Sequence, residues 1–237
     1  MEEIVNEQAK HIVGLLGSVS PTARLLVAIA GVPASGKSSL AIRLVQKANA
    51  LLDEAGAEDR AILVGLDGWH MTRAELDAME NPQEAHDRRG IHWTFDAKSY
   101  ASFVELLRKP LDEHAQIITA PTFDHALKDP CPDAVSIHPH HRIVVIEGLY
   151  TMLNYHPWDN AAERMDQRWW VQIDKKRAKA RLVERHVQTG IAKDMDEAVW
   201  RAENNDEKNG DFIAKNQYNV TYTIQSIDDP AYTPSGI

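Results

Sequence analysis

Cysteine is nearly missing from these 237 residues. The one thiol, Cys131, has no partner for an internal disulfide, which excludes the small disulfide-stapled folds and fits a reducing compartment. Long apolar runs are missing too: nowhere do about 18 apolar residues follow one another. The start, Met1-Glu2-Glu3, has neither the basic nor the apolar region of a secretory signal. These absences predict a cytoplasmic protein without membrane contact. Positive charge is in deficit, with 26 Lys and Arg against 35 Asp and Glu and a net charge of −9, which argues against a surface that grips nucleic acid or anionic lipid. Any anion site must then be local. Repeats, low-complexity blocks and composition shifts are also absent, so residues 1–237 are expected to form a single domain, with 43% apolar and 26% charged residues in globular proportion.

Short continuous apolar runs punctuate the chain. Leu25 to Ala30, Ala61 to Leu66, Arg142 to Ile146 and Arg168 to Ile173 have the look of strands buried on both faces of a parallel sheet. Gln116 to Thr119 is a weaker candidate, and Val220 to Ile224 a final one. Helical spacing appears at residues 3–16, 38–50, 99–108, 175–188 and 196–206. Alternating strands and helices predict a doubly wound α/β fold, its mostly parallel sheet flanked by helices. The Pro/His-rich stretch from Pro121 to His141 reads as an inserted loop.

Directly after the first strand stands Gly31-Val32-Pro33-Ala34-Ser35-Gly36-Lys37-Ser38, followed by Ser39 at the start of a helix, which matches G-x-x-x-x-G-K-[ST] at every defined position. Glycines let backbone N–H groups turn inward around phosphates, and the following helix presents its positive end to the same charge. Lys37 is placed for the β- and γ-phosphates of ATP and the Ser38 hydroxyl for Mg²⁺. A bare connecting turn is the alternative, and the flanking strand and helix weigh against it.

Ligands of open parallel sheets sit beyond the carboxyl ends of the strands. Two strands end there in an acid: Asp67 in Asp67-Gly68-Trp69-His70, and Glu147 in Glu147-Gly148-Leu149-Tyr150. Each fits a general base or a magnesium ligand, and each alone also fits a helix cap or turn residue. Arg177, Arg181 and Arg185 share one helical face at four-residue spacing, where like charges repel unless an anion meets them. The bland alternative is a solvated basic face with Glu184 as partial offset.

Other signals are weaker. His138-Pro139-His140-His141 offers imidazoles at short spacing, but proline stiffens the run and no cysteine completes a known metal pattern. Asp53-Glu54-Ala55-Gly56 formally matches the D-x-x-G of GTPases, yet it precedes a strand and no N-K-x-D follows. Trp169 and Trp170 lie in a strand and read as core, whereas Trp69, beside Asp67, is expected near a bound acceptor.

With these residues in place, the chain resembles the phosphoribulokinase/uridine kinase family from about Leu25 to Asn209. The resemblance rests on the phosphate loop, Asp67 to His70, Arg88-Arg89-Gly90 with Thr94-Phe95-Asp96, Ala120 to His125, Val144 to Gly148, and Arg181 to His186. Gly68 beside Asp67 is closer to the style of pantothenate and sugar-transport-linked kinases than to that of uridine kinases. The resemblance implies a P-loop NTPase-type fold with a helical lid over about residues 175–210, Asp67 as base toward the acceptor hydroxyl, and Glu147 near magnesium. It also implies that Arg181 and Arg185 close over the ATP phosphates, and that Phe123, Asp124 and His125, with His70 and Arg89, hold the acceptor.

The sequence thus predicts ATP- and Mg²⁺-dependent phosphoryl transfer to a hydroxyl of a small metabolite such as a nucleoside, a sugar or a pantothenate-like alcohol. A P-loop ATPase that transfers to water and a nucleotide-dependent switch are the alternatives.

Overall fold

The structure is a computed structural model that describes residues 1–124 and 126–228. Among the described residues the strands are β1 (Leu25–Gly31), β2 (Arg60–Gly65), β3 (Ile118–Asp124), β4 (Asp129–Ile137), β5 (His141–Glu147), β6 (Gln167–Gln172) and β7 (Tyr222–Gln225). The helices are α1 (Glu2–Leu16), α2 (Lys37–Glu54), α3 (Arg73–Asp77), α4 (Pro82–Asp87), α5 (Ala97–Leu107), α6 (Asp159–Ala162), α7 (Lys175–Gln188), α8 (Met195–Arg201) and α9 (Glu207–Lys215).

Five strands pair in the order β2-β5-β1-β6-β7, every pairing parallel. The central strand β1 is buried along its whole length because both of its faces are covered. Leu25, Val27 and Ile29 point into one core layer, where α1 and α2 supply Ala9, Ile12, Leu40 and Leu44. Leu26, Ala28 and Ala30 point into the other, built from Tyr100, Phe103 and Val104 of α5, Ala161 and Ala162 of α6 and Ile213 of α9. A continuous apolar run is the sequence signature of such a doubly covered strand. Leu44 is fully buried, so cutting it back to alanine should cost about 2–5 kcal/mol.

Two expectations are corrected. The stretch from Pro121 to His141 is not a loop: β3 and β4 pair antiparallel from Ile118↔Ile137 to Asp124↔Asp129, forming a two-stranded arm outside the main sheet. The helical pattern at 196–206 is broken into α8 and a π-helical turn, Ala202–Asp206, that runs into α9. Turns of this kind widen a helix locally and frequently mark functional sites. Among the described residues no helix is long and apolar enough to cross a membrane.

Candidate active site

At the carboxyl end of β1 the chain turns through Val32–Gly36 into α2. Gly36 sits in the left-handed region at φ +90°, where a glycine is at home and an L side chain is strained. Ser35 is fully buried, and its Oγ has no hydrogen-bond partner. The helix that follows carries no side-chain cap, so its first N–H groups stay available to a ligand.

Around this turn lies a cleft of about 190 Å³ whose lining includes Lys37, Ser38, Asp67, Glu147, Arg185 and Asp206. Parallel register places Glu147 beside Ile29 on one side and Gly65 on the other, so the ends of β1, β2 and β5 converge. The Ser38 hydroxyl donates to Glu147 Oε2 at 3.1 Å. Asp67 occupies a 3₁₀ turn, Leu66–Trp69, that caps β2. Burial lowers the Lys37 ammonium pKa, with Glu147 and Asp67 opposing the shift and Arg185 adding to it. Burial likewise raises the Glu147 carboxyl, and Asp67 pushes the same way against Lys37 and the Ser38 hydrogen bond. Both shifts favour the neutral forms of the two groups.

The three arginines of α7 separate. Arg185 lines the cleft. Arg181 instead grips the outer side of the phosphate loop: Nη1 donates to Ala34 O at 3.1 Å and Ser226 Oγ at 3.0 Å, and the guanidinium also pairs with Asp228. Arg177 reaches the same carboxylate at 2.6 Å. Asp228, far away in sequence, is therefore the counter-charge for two of the three, where sequence reading had looked only to Glu184.

Of the expected acceptor residues Arg89 lines the cleft, whereas His70 and Phe123 lie behind that lining: His70 Nδ1 is 2.8 Å from Asp67 O, and its ring packs 3.9 Å from Phe95 and 4.8 Å from Phe123. Arg89 lies over the Phe123 ring, 5.3 Å from its centroid. Its Nη2 donates to Met71 O at 2.6 Å and Asp129 Oδ1 at 3.0 Å, and Nη1 donates to Lys128 O, so Arg89 ties the β3–β4 arm to the segment that follows β2. Asp124 Oδ1 accepts from the N–H groups of Ala126 and Leu127 at 2.8 and 2.9 Å and closes the tip of the arm. His125 falls outside the described residues.

Trp69 requires a correction. It is buried in the core, its ring 4.9 Å from Phe103 and 5.3 Å from Tyr100, because the 3₁₀ turn sends consecutive side chains in different directions. Asp67 faces the cleft and Trp69 does not. The histidines at 138, 140 and 141 stack around a turn in which His141 Nδ1 accepts from His138 N at 3.0 Å. No metal-binding group of three such side chains is present among the described residues.

Sequence reading missed the third wall. Asn205, Asp206 and Asn209 line the cleft from the π turn and α9. Burial raises the Asp206 carboxyl to about 6, against the pull of Arg185 and Arg201. Asn209 Nδ2 donates to Gly90 O at 3.2 Å, and the Tyr150 hydroxyl donates to Asn209 Oδ1 at 2.6 Å, which fastens α9 to the wall beneath Arg89. One signal was available: Gly210, a glycine inside a helix, marks close backbone approach. A Cβ there would lie 3.4 Å from Val32 of the phosphate loop.

No family model matches the chain. It is 45% identical over 155 residues to "ATP-dependent kinase-like protein notR'" of Aspergillus versicolor, covering 65% of this chain and 90% of that protein. It is 35% identical over 204 residues to "Putative uridine kinase C227.14" of Schizosaccharomyces pombe, covering 86% of this chain and 84% of that protein. Among solved structures, a "putative fructose transport system kinase" from Silicibacter sp. TM1040 superposes with a TM-score of 0.77 at 27% identity, covering 92% of this chain and 98% of that one.

Proposed function

The chain belongs to the phosphoribulokinase/uridine kinase family of P-loop kinases, and from that premise we propose that it moves the γ-phosphoryl of Mg²⁺-bound ATP onto a hydroxyl of a small metabolite. The observation that carries this reading is the Ser38–Glu147 hydrogen bond at 3.1 Å in a cleft that also holds Lys37, Arg185 and Asp67.

Inward backbone N–H groups of Val32–Gly36 would hold the phosphates, with the α2 N-terminus behind them. Lys37 and Arg185 would neutralise the transferring group from two sides. Ser38 and Glu147 fit Mg²⁺, since a hydroxyl and one carboxylate are the hard oxygen donors that this ion takes alongside phosphate oxygens and water. When bound, the ion supplies charge neutralisation at the β- and γ-phosphates. Asp67 would accept the proton of the attacking hydroxyl, and His70 would brace it from behind through the Asp67 carbonyl.

The phosphoryl acceptor would lie between Asp67 and the wall of His70 and Phe123. Arg181, which holds the loop at Ala34, and Asp124, which closes the arm, would then be positioning residues rather than ligand contacts. Residues 175–210 would act as a lid, because they bring Arg185, Asn205 and Asp206 to the cleft from outside the sheet. A single kinase domain working in the cytosol is part of the same reading.

The test is incubation with γ-labelled ATP and Mg²⁺ with and without small alcohols. Label recovered as a phosphate ester, with ADP formation dependent on the alcohol, is the expected result. Label recovered only as inorganic phosphate at an unchanged rate would make the protein an ATPase, and no turnover despite ATP binding would make it a switch.

A further inference from the structure

Charge in the cleft also bears on what the acceptor can be. Resting on the kinase reading above, we propose that the acceptor is an uncharged or cationic alcohol, and that phosphate esters and carboxylates are excluded. A second anion beside ATP has to be met by a cation that ATP leaves over, because like charges brought together in a desolvated site discriminate strongly against the wrong partner. Among the described residues, the charged side chains lining the cleft are Lys37, Arg89 and Arg185 against Asp67, Glu147 and Asp206. Lys37 and Arg185 flank the phosphate loop and are committed to the nucleotide. That leaves Arg89.

Arg89 is engaged through both Nη atoms, and its Nε, though without a partner, is buried away from the cleft's open space. Its side chain is only 15% exposed and delivers its Nη donors to Met71 O, Lys128 O and Asp129. Asp129 is held from its other side by the backbone N–H of Arg73 at 2.8 Å and its Nε at 3.2 Å. To bind a phosphate or carboxylate, Arg89 would have to let go of the arm that forms the acceptor wall. The next cation along, Arg88, pairs with Glu84 at 3.8 Å. His92 is kept toward its neutral form by burial and by Arg88.

The third wall adds negative charge. Asp206 faces the cleft with its nearest basic neighbour, His186 Nε2, at 3.5 Å, and burial disfavours the charged form of that imidazole. Of the two arginines that pull on Asp206, Arg185 is assigned to the nucleotide and Arg201 is shared with Glu197 at 2.8 Å. The carboxyl groups of Asp67 and Asp206, with the amides of Asn205 and Asn209, make a wall that suits hydroxyl donors or a positive ring and disfavours a further anion.

Deproteinised yeast extract, split by anion exchange into flow-through and retained fractions, would be incubated with γ-labelled ATP, Mg²⁺ and the whole protein. The labelled acceptor should come from the flow-through. Matched pairs sharpen the measurement: panthenol against pantothenate, ribulose against ribulose 5-phosphate, glycerol against glycerate. The neutral member of any pair that reacts should lead by at least about 10-fold in kcat/KM. Asp206→Asn should narrow that preference while leaving the neutral member the better substrate.

Labelled product from the retained fraction, or an anionic twin that equals its neutral partner, would overturn the inference and leave the kinase reading standing. An unchanged preference in Asp206→Asn would remove Asp206 from the explanation. Label passing to neither fraction while ATP binds would sink the kinase reading, and this inference with it.

Discussion

The two ends of the cleft are made in different ways. The proposed nucleotide end is mostly local: a strand, a glycine-bearing turn and a helix within Leu25–Glu54 supply the loop, Lys37 and Ser38, and Glu147 and Arg185 come from elsewhere. The proposed acceptor end is assembled from segments far apart in the chain. His70 follows β2, Arg89 follows α4, Phe123 is next to last in β3, and Asn205, Asp206 and Asn209 arrive from beyond α8. A site built from contiguous backbone tolerates little variation, while one built from side chains on separate supports can change its specificity without disturbing the other.

The sharpest way to break this comparison is at Lys37. Lys37→Ala should fold and should lose about 10²–10³-fold in turnover, since one preorganised positive donor is removed from the transferring group. Steady-state ADP release beside a thermal melt is the measurement, and near wild-type turnover would remove the loop from the chemistry.

Gly68→Ala attacks the other end. A Cβ at residue 68 would overlap Pro121 O, a backbone atom at the base of the arm, so the arm must shift. About 1–3 kcal/mol of stability should be lost, as for other overpacked sites. Acceptor KM should rise while ATP affinity, measured by calorimetry, stays put. Equal losses at both ends would show that they are not independent.

Asp206→Asn carries the smallest effect, and pH reveals it. Burial raises the folded carboxyl from 3.8 to about 6, so between those values the native state holds a proton that the unfolded chain has released. Stability of the wild type therefore falls as pH rises through this window, and above it the ionised carboxylate is a standing cost. The amide introduced by Asp206→Asn cannot ionise, so the variant should flatten the fall and stabilise the protein at about pH 7.5 by on the order of 1–2 kcal/mol. Urea melts at about pH 4.5, inside the window where the native state still holds the proton, and at about pH 7.5, above it, check it; parallel curves for both proteins would contradict the assignment.

Legibility in the sequence follows the same division. The strands β1 and β5 could be read because burial on both faces forces continuous apolar runs, β2 and β6 because they keep short apolar runs though only partly buried, and the phosphate loop because backbone geometry dictates its glycines. The arm could not. β4 contains Pro130 and Pro132 and lies mostly exposed, so its pairing with β3 leaves no apolar pattern to find. Trp69 was misplaced because sequence adjacency to Asp67 says nothing about direction in a 3₁₀ turn. Asp206 was invisible because a π turn changes which residues share a face, and the 3.6-residue period used to read the helix is wrong there. Asp228 as counter-ion for Arg177 and Arg181 is a contact across about 50 residues that no local spacing announces.

The division of labour between the two strand-end carboxylates is the centre of the account, and paired variants test it most directly. Asp67→Asn keeps shape and hydrogen bonding but cannot take a proton, so kcat should fall by roughly 10²–10⁴ with ATP affinity nearly unchanged. Glu147→Gln removes a negative oxygen beside Ser38 and should weaken Mg²⁺-dependent ATP binding as well as turnover. The measurement is calorimetric ATP affinity with Mg²⁺ present, set against kcat for an accepted alcohol. Loss of turnover alone at Asp67 and loss of binding at Glu147 is the predicted result; near wild-type kcat in Asp67→Asn, or a larger binding defect there than in Glu147→Gln, would contradict it.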